Sequence, residues 1–194
     1  MHVLTKRQTQ SITGSKNNMA RTIRTKVYKF DELNEDAKQK AIESLSDINV
    51  NYDWWQFVYE DAKNVGIQIN GFDIDRESYC KGIFIESANY TANKIKFEHG
   101  ENCETYKTAI SFISDWDKLV AKYSDGKNTD KVTEDNEYDF DNEADELENE
   151  FLNSICEDYR VMLSNEYDYL TSEEAIIETI RANEYEFTAD GRRF

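Results

Sequence analysis

Two aspartates in the run FDID have the spacing best suited to metal-assisted chemistry. Asp73 and Asp75 lie two residues apart in a stretch whose alternating apolar residues predict a β-strand, so both side chains would leave the same face of that strand. Paired carboxylates of this kind hold Mg²⁺ in phosphoryl-transfer and nuclease sites. No Lys or His lies near them in sequence, which weakens the case for a catalytic site. A metal-dependent enzyme acting on nucleic acid through Asp73 and Asp75 is therefore an alternative and not the leading hypothesis.

A thiol and an imidazole also lie close together in the sequence. Cys103 follows His99 by four residues, and a base beside a thiol can activate it as a nucleophile. That spacing on a predicted loop is no catalytic signature, and a packed thiol with a surface imidazole is the preferred interpretation. Three cysteines without a C-x-x-C pair, and two histidines, favour reduced thiols in a cytosol. We therefore expect no catalytic residue, no bound metal and no cofactor.

The stretch EDNEYDFDNEADELENE, from Glu134 to Glu150, contains ten acidic residues and no Lys or Arg. Part of it follows the spacing of an EF-hand calcium loop, at Asp135, Glu137, Asp139, Asp141, Glu143 and Glu146. The sixth position of such a loop requires Gly for its sharp turn, and Phe140 stands there instead. Weak condensation of cations is a better expectation than a dedicated calcium site.

The same stretch predicts an acidic column on a helix. If the apolar residues from Phe140 to Met162 face inward, then Asp139, Glu143, Glu146, Glu150 and Glu157 form one outward column. We predict a partner-binding surface of seven residues, namely Asp135, Glu137, Asp139, Glu143, Glu146, Glu150 and Glu157. A solvated helix face is the alternative for any single member of that set.

Helices and short strands are predicted around these residues. Helices are expected after Asn34, from Asp53 to the stop at Gly66, between Tyr106 and Tyr123, from Phe140 to Met162, and over SEEAIIETIRAN with a capping box from Thr171 to Glu174. The adjacent Trp54 and Trp55 fall on different helix faces, so one should be buried and the other partly exposed.

Strands are predicted near GIQINGFDID, YCKGIFIES and KIKFEH, with a short YEFT strand and an Asp190–Gly191 turn at the end of the chain. The pattern predicts an α+β fold in a single domain, with about five helices and one small antiparallel sheet of three to four strands.

Charge divides the chain unevenly. The 194 residues carry a net charge of −17, yet residues 1–29 hold seven basic residues and no acidic one. We expect a flexible basic arm over residues 1–26 and an acidic α+β domain over residues 27–194, with Met1 and Met19 both possible starts. A strongly acidic body repels nucleic acid and anionic membranes and attracts basic surfaces. No stretch is apolar enough to span a membrane, and solubility alone is the alternative use of the charge.

Four strings resemble a group of small acidic proteins encoded by phages and prophages of gut bacteria: VYKFDELNEDAKQKAIESL, NYDWWQFVYEDA, FDIDRESYCKG and LTSEEAIIETIRANEYEFTADG. The resemblance covers most of the chain from Tyr28 onward and carries no catalytic motif. It implies a protein that acts in the cytoplasm of a bacterial host cell. Some proteins of this kind are anti-CRISPR inhibitors of Cas9-type effectors.

The sequence thus favours a non-enzymatic, phage-type anti-defence inhibitor. Its acidic surface would bind the basic nucleic-acid-binding surface of a host effector, as a DNA mimic, and the body would bind neither nucleic acid nor membrane directly. A phage accessory or structural protein whose acidity serves solubility is the third hypothesis. The target, the step that is inhibited and the oligomeric state do not follow from the sequence.

Overall fold

A computed structural model of the chain describes residues 24–124 and 137–194. Most of the predicted basic arm and Asp135 therefore lie outside the described residues. The described chain has an α+β fold, as predicted. Its elements are β1 (Tyr28–Lys29), a 3-10 turn (Phe30–Glu32), α1 (Glu35–Ser44), α2 (Gln56–Asn64), β2 (Ile67–Asp73), β3 (Tyr79–Phe84), α3 (Ala88–Glu98), α4 (Glu104–Tyr123), α5 (Glu137–Leu170), α6 (Glu173–Ala182) and β4 (Glu186–Phe187).

Helix ends follow the signals in the sequence, with one shift. The Asn34 side chain accepts the Ala37 N–H at 2.9 Å and so caps α1 as predicted. Gly66, with a φ of 101°, follows α2 in the left-handed conformation that a β-carbon disfavours. At α6 the predicted capping residue is wrong by one position, because Ser172 accepts the Ala175 N–H.

The strand predicted at KIKFEH is wrong, since these residues end helix α3. The Ser87 side chain accepts the Tyr90 N–H and caps this helix, which buries Ala88, Thr91, Ala92 and Ile95 at a helical spacing. The strand was predicted because Lys alternates with the apolar residues Ile95 and Phe97. Phe97 is 87% exposed, so it does not belong to a buried apolar face. The longer helical period outweighs that short alternation.

The predicted single sheet is two sheets, each of two antiparallel strands. β2 and β3 form a hairpin with an irregularity between Ile69 and Gly71, and β1 pairs with β4 so that the two ends of the described chain meet. Helix α3 occupies the part of the sequence from which a third hairpin strand was expected, so the hairpin stays two-stranded.

Two clusters of buried side chains stabilise the molecule. The larger cluster contains residues of α2, α3, α4, α5 and the β2–β3 hairpin, among them Ile67, Ile95 and Tyr159. The smaller cluster joins α1, α6 and β4 around Phe30 and Phe187. Buried Asn49 lies between them: its side chain donates to the Leu170 carbonyl at 3.0 Å and accepts from the Thr179 hydroxyl at 2.7 Å.

Helix α5 is the longest element of the described chain. Its 34 residues span about 51 Å at 1.5 Å per residue. It contains twelve acidic residues and a single basic one, Arg160. Within the described ranges, no helix has the length and apolar character needed to cross a bilayer.

Candidate protein-binding face

The first four turns of α5 present a dense set of exposed carboxylates. We define the acidic face as the exposed residues Glu137, Asp139, Asp141, Asp145, Glu146 and Glu150. In residues 24–124 and 137–194, none of the six takes part in an ion pair. Four of them were predicted as partner-binding residues, while Asp141 and Asp145 extend the surface around the helix.

Glu143, which was predicted to face a partner, instead contacts the neighbouring helix. Lys122 of α4 donates to its two carboxylate oxygens at 2.6 and 2.7 Å, and the Tyr123 hydroxyl donates at 2.8 Å. These hydrogen bonds lower the pKa of Glu143. Glu143 therefore helps to hold α4 against α5, and its charge is largely compensated.

Glu157 is likewise compensated within the chain. Arg160 donates to its two oxygens at 2.8 and 2.7 Å, and these bonds lower the pKa of Glu157. The same guanidinium donates to Ser78 Oγ at 2.9 Å, in the turn between β2 and β3. Glu157 thus belongs to a contact between α5 and the hairpin and lies about 10 Å along the helix axis beyond Glu150.

A groove between α4 and α5 borders the acidic face. Lys118, Lys122 and Leu119 line its α4 side, and Glu146 and Glu150 line its α5 side, around a volume of about 500 Å³. Both lysines are already paired, Lys118 with Asp115 and Lys122 with Glu143. Glu146 and Glu150 therefore keep their charge uncompensated along this border.

The calcium-loop interpretation is wrong for the part of the pattern that the structure describes. Residues 137–146 are continuous helix, so their carboxylates point outward in several directions and do not converge on one ion. Across the described ranges, no three His, Cys, Asp or Glu side chains are grouped to hold a metal ion.

Asp73 and Asp75 lie at the hairpin turn and share a local contact. Asp73 Oδ1 accepts the Asp75 N–H at 2.7 Å, so one carboxylate fixes the backbone of the turn. Together with Trp54, Ser164 and Tyr167 they line a cavity between the turn and α5. Trp54 is buried and Trp55 partly exposed, as predicted.

His99 pairs with groups that its sequence neighbours do not reveal. Its Nδ1 lies 2.8 Å from Thr105 Oγ1, and its Nε2 lies 3.6 Å from Asp61 Oδ1. The Tyr159 hydroxyl donates to the other oxygen of Asp61 at 2.9 Å, and burial raises the pKa of Tyr159, so it stays a neutral donor.

Cys103, Cys80 and Cys156 are all free thiols.

Sequence reasoning missed the partners that neutralise Glu143, because Lys122 and Tyr123 are about twenty residues away and meet it only through helix packing. Arg160 was detectable, since a basic residue three positions after Glu157 lies on the same helix face.

Comparisons of the chain with models of protein families, with curated proteins and with solved structures find no match.

Proposed function

We propose that this chain is a non-enzymatic binding protein whose acidic face docks on a basic, nucleic-acid-binding surface of another protein. The observation that carries the proposal is the acidic face itself: six exposed carboxylates without a counter-ion in the described chain, on one rigid helix. Like charges at neighbouring helical positions cost a few tenths of a kcal/mol each. A basic partner would remove that repulsion on binding.

The charge on this face resembles that of nucleic acid only in part. The six carboxylates extend over about 20 Å of helix axis in two rows on different sides of α5, with Glu137, Asp141 and Asp145 in one row and Asp139, Glu146 and Glu150 in the other. Charges four residues apart in a row are separated by about 6 Å along the axis, which is wider than the phosphate spacing of about 3.4 Å along a DNA strand. In a groove lined with Lys and Arg, the carboxylates of the acidic face would take the place of the phosphates of the nucleic acid. The bound protein would then block access of nucleic acid to that groove.

The partner that the sequence resemblance suggests is a host defence nuclease of the Cas9 type, met in the bacterial cytoplasm. Such effectors hold the guide–target heteroduplex in a positively charged channel and read it through its backbone. A rigid anionic helix has an electrostatic route into such a channel. Inhibition by competition for the channel follows from this arrangement.

A competition experiment tests the proposal. A guide-loaded Cas9-type effector is bound to labelled target DNA, and the chain is added while fluorescence anisotropy is followed. We expect the DNA to be released, and direct binding of the chain to the DNA-free effector to weaken as salt is raised. Unchanged anisotropy at saturating concentrations of the chain would contradict competition for the channel of that effector.

The specificity of that result is checked with an acidic protein of similar size and charge that lacks a long acidic helix. We expect this protein to release much less DNA at equal concentration. Equal release by both proteins would contradict a dedicated acidic face and would leave only non-specific charge attraction.

A further inference from the structure

The cavity between the hairpin turn and the last third of α5 combines aromatic rings with carboxylates. Its volume is about 470 Å³, and its lining includes Trp54 and Tyr167 together with Asp73, Asp75 and Asp168. Pockets of a few hundred Å³ with aromatic walls and a few convergent polar groups are typical of small-ligand sites. We propose that this cavity binds a guanidinium group, and we call it the guanidinium pocket.

The charge of the pocket favours a cation. Three of its lining side chains are carboxylates, and none is ion-paired within the ranges of chain that the structure describes. Among the described residues, no basic side chain lines the cavity. A bound cation would offset the mutual repulsion of Asp73, Asp75 and Asp168.

The shape of the pocket favours an organic cation over a metal ion. In the described chain no three carboxylates are grouped closely enough to share one metal ion, although three line this cavity. A planar group with five N–H donors can reach separate carboxylates at the same time. Guanidinium also stacks on aromatic rings, and Tyr167 is 38% exposed beside the more buried Trp54.

The molecule already holds one guanidinium in the adjacent position. Arg160 lies one helical turn before Ser164, between α5 and the same hairpin turn. It donates to a serine hydroxyl, that of Ser78, and to a carboxylate, that of Glu157. Ser164 and Asp168 supply the same two kinds of acceptor to the pocket, where residues 24–124 and 137–194 place no arginine.

The pocket is separate from the acidic face. Ser164 lies fourteen residues after Glu150, the last residue of the acidic face, or about 21 Å along the axis of α5. A single small ligand cannot reach both sites. The fate of this proposal is therefore independent of the function proposed for the acidic face.

Two-dimensional ¹⁵N–¹H NMR of the full chain tests the assignment. The chain is titrated with ethylguanidine, a free guanidinium compound with a single charge, and separately with the peptide acetyl-Gly-Arg-Gly-amide, which has the same charge. We expect saturable shifts of the Trp54 indole N–H and of the Ser164 and Tyr167 amides with at least one of them. Tighter binding of the peptide identifies an arginine side chain as the source, and tighter binding of ethylguanidine identifies a free ligand.

The charge-only variant Asp73→Asn/Asp75→Asn/Asp168→Asn should weaken this binding about tenfold, the equivalent of one charge-assisted hydrogen bond. Asparagine at position 73 can still accept the backbone N–H of the turn, so the fold should be kept, and thermal melting checks this. The matched control is Asp47→Asn/Glu101→Gln/Asp117→Asn, three exposed acids elsewhere, which should bind as tightly as the unaltered chain.

Three results would overturn the assignment: no saturable shift with either ligand, equal weakening in both triple variants, or equal binding of acetyl-Gly-Lys-Gly-amide. The first would show an empty surface feature, and the second only general attraction by a negative protein. The third would show that the pocket has no preference for the planar guanidinium group.

Discussion

At the scale of single residues, the environment decides what each carboxylate does. Asp139 and Glu143 belong to one predicted helical column, yet Asp139 is exposed while Glu143 accepts three hydrogen bonds from α4. The sequence predicted the column from helical spacing alone. It could not predict which members are compensated, because that depends on how α4 packs against α5.

Asp158 provides a test of burial and charge at this scale. Burial raises the pKa of this carboxyl, nearby Glu104 and Glu157 raise it further, and the hydrogen bond from Thr108 opposes them. Its folded-state pKa therefore lies above the unfolded value. The resulting stabilisation is fully present below the unfolded pKa of about 3.9 and is lost as pH rises through the folded pKa.

We therefore expect Asp158→Asn to raise the melting temperature at pH 7 and to change it little near pH 3.5. Asparagine keeps an acceptor for the Thr108 hydroxyl while it removes the half-buried charge. Melting curves at both pH values measure the effect, with Asp117→Asn as the control for one exposed charge on α4. A lower melting temperature at pH 7 for the Asp158 variant would contradict the account.

At the scale of elements, long periodic helices were predictable and short strands were not. The apolar positions of α4 and α5 recur over five or more turns, so packing and periodicity agree. Strand β1 and strand β4 have two residues each and pair across more than 150 positions, which no local pattern reveals. Only part of the guanidinium pocket could be predicted from the sequence. The spacing in FDID indicates a possible site at Asp73 and Asp75, but Tyr167 and Asp168 lie on a helix about ninety residues further along the chain.

The turn after β4 tests the packing of these chain ends. Gly191 has a φ of 89°, and a β-carbon at that position would lie 2.2 Å from the carbonyl oxygen of Ala37 in α1. Gly191→Ala should therefore destabilise the fold by about 2 kcal/mol or more, through backbone strain and overpacking. Chemical denaturation measures this.

Gly71→Ala is the matched control, since a β-carbon there meets no atom within 4 Å. We expect a loss of less than about 1 kcal/mol for that variant. A similar loss in both variants would mean that the close approach of Gly191 to α1 does not limit stability.

At the scale of the whole molecule, α5 connects the features that we assign to function. Its first four turns form the acidic face, its middle packs in the larger core through Phe151, Ile155 and Tyr159, and its last third lines the guanidinium pocket. Rigid support of this kind lets a charged surface keep a fixed shape while it binds. The central claim is that the acidic face, and not the overall negative charge, drives association with a basic partner.

One measurement tests that claim most directly: the association rate with a basic nucleic-acid-binding partner at low and moderate salt. The first variant neutralises the acidic face with Glu137→Gln, Asp139→Asn, Asp141→Asn, Asp145→Asn, Glu146→Gln and Glu150→Gln. The matched variant removes six exposed charges elsewhere with Asp47→Asn, Glu60→Gln, Glu77→Gln, Glu86→Gln, Glu101→Gln and Asp117→Asn. Melting curves confirm that both variants fold.

We expect the first variant to associate about tenfold or more slowly at low salt and to lose most of its salt dependence, because steering depends on charges at the interface. The matched variant should stay within about threefold of the unaltered chain, since screening weakens charges more than about 10 Å away. Equal slowing of both variants, or none in the first, would contradict a localised acidic binding face.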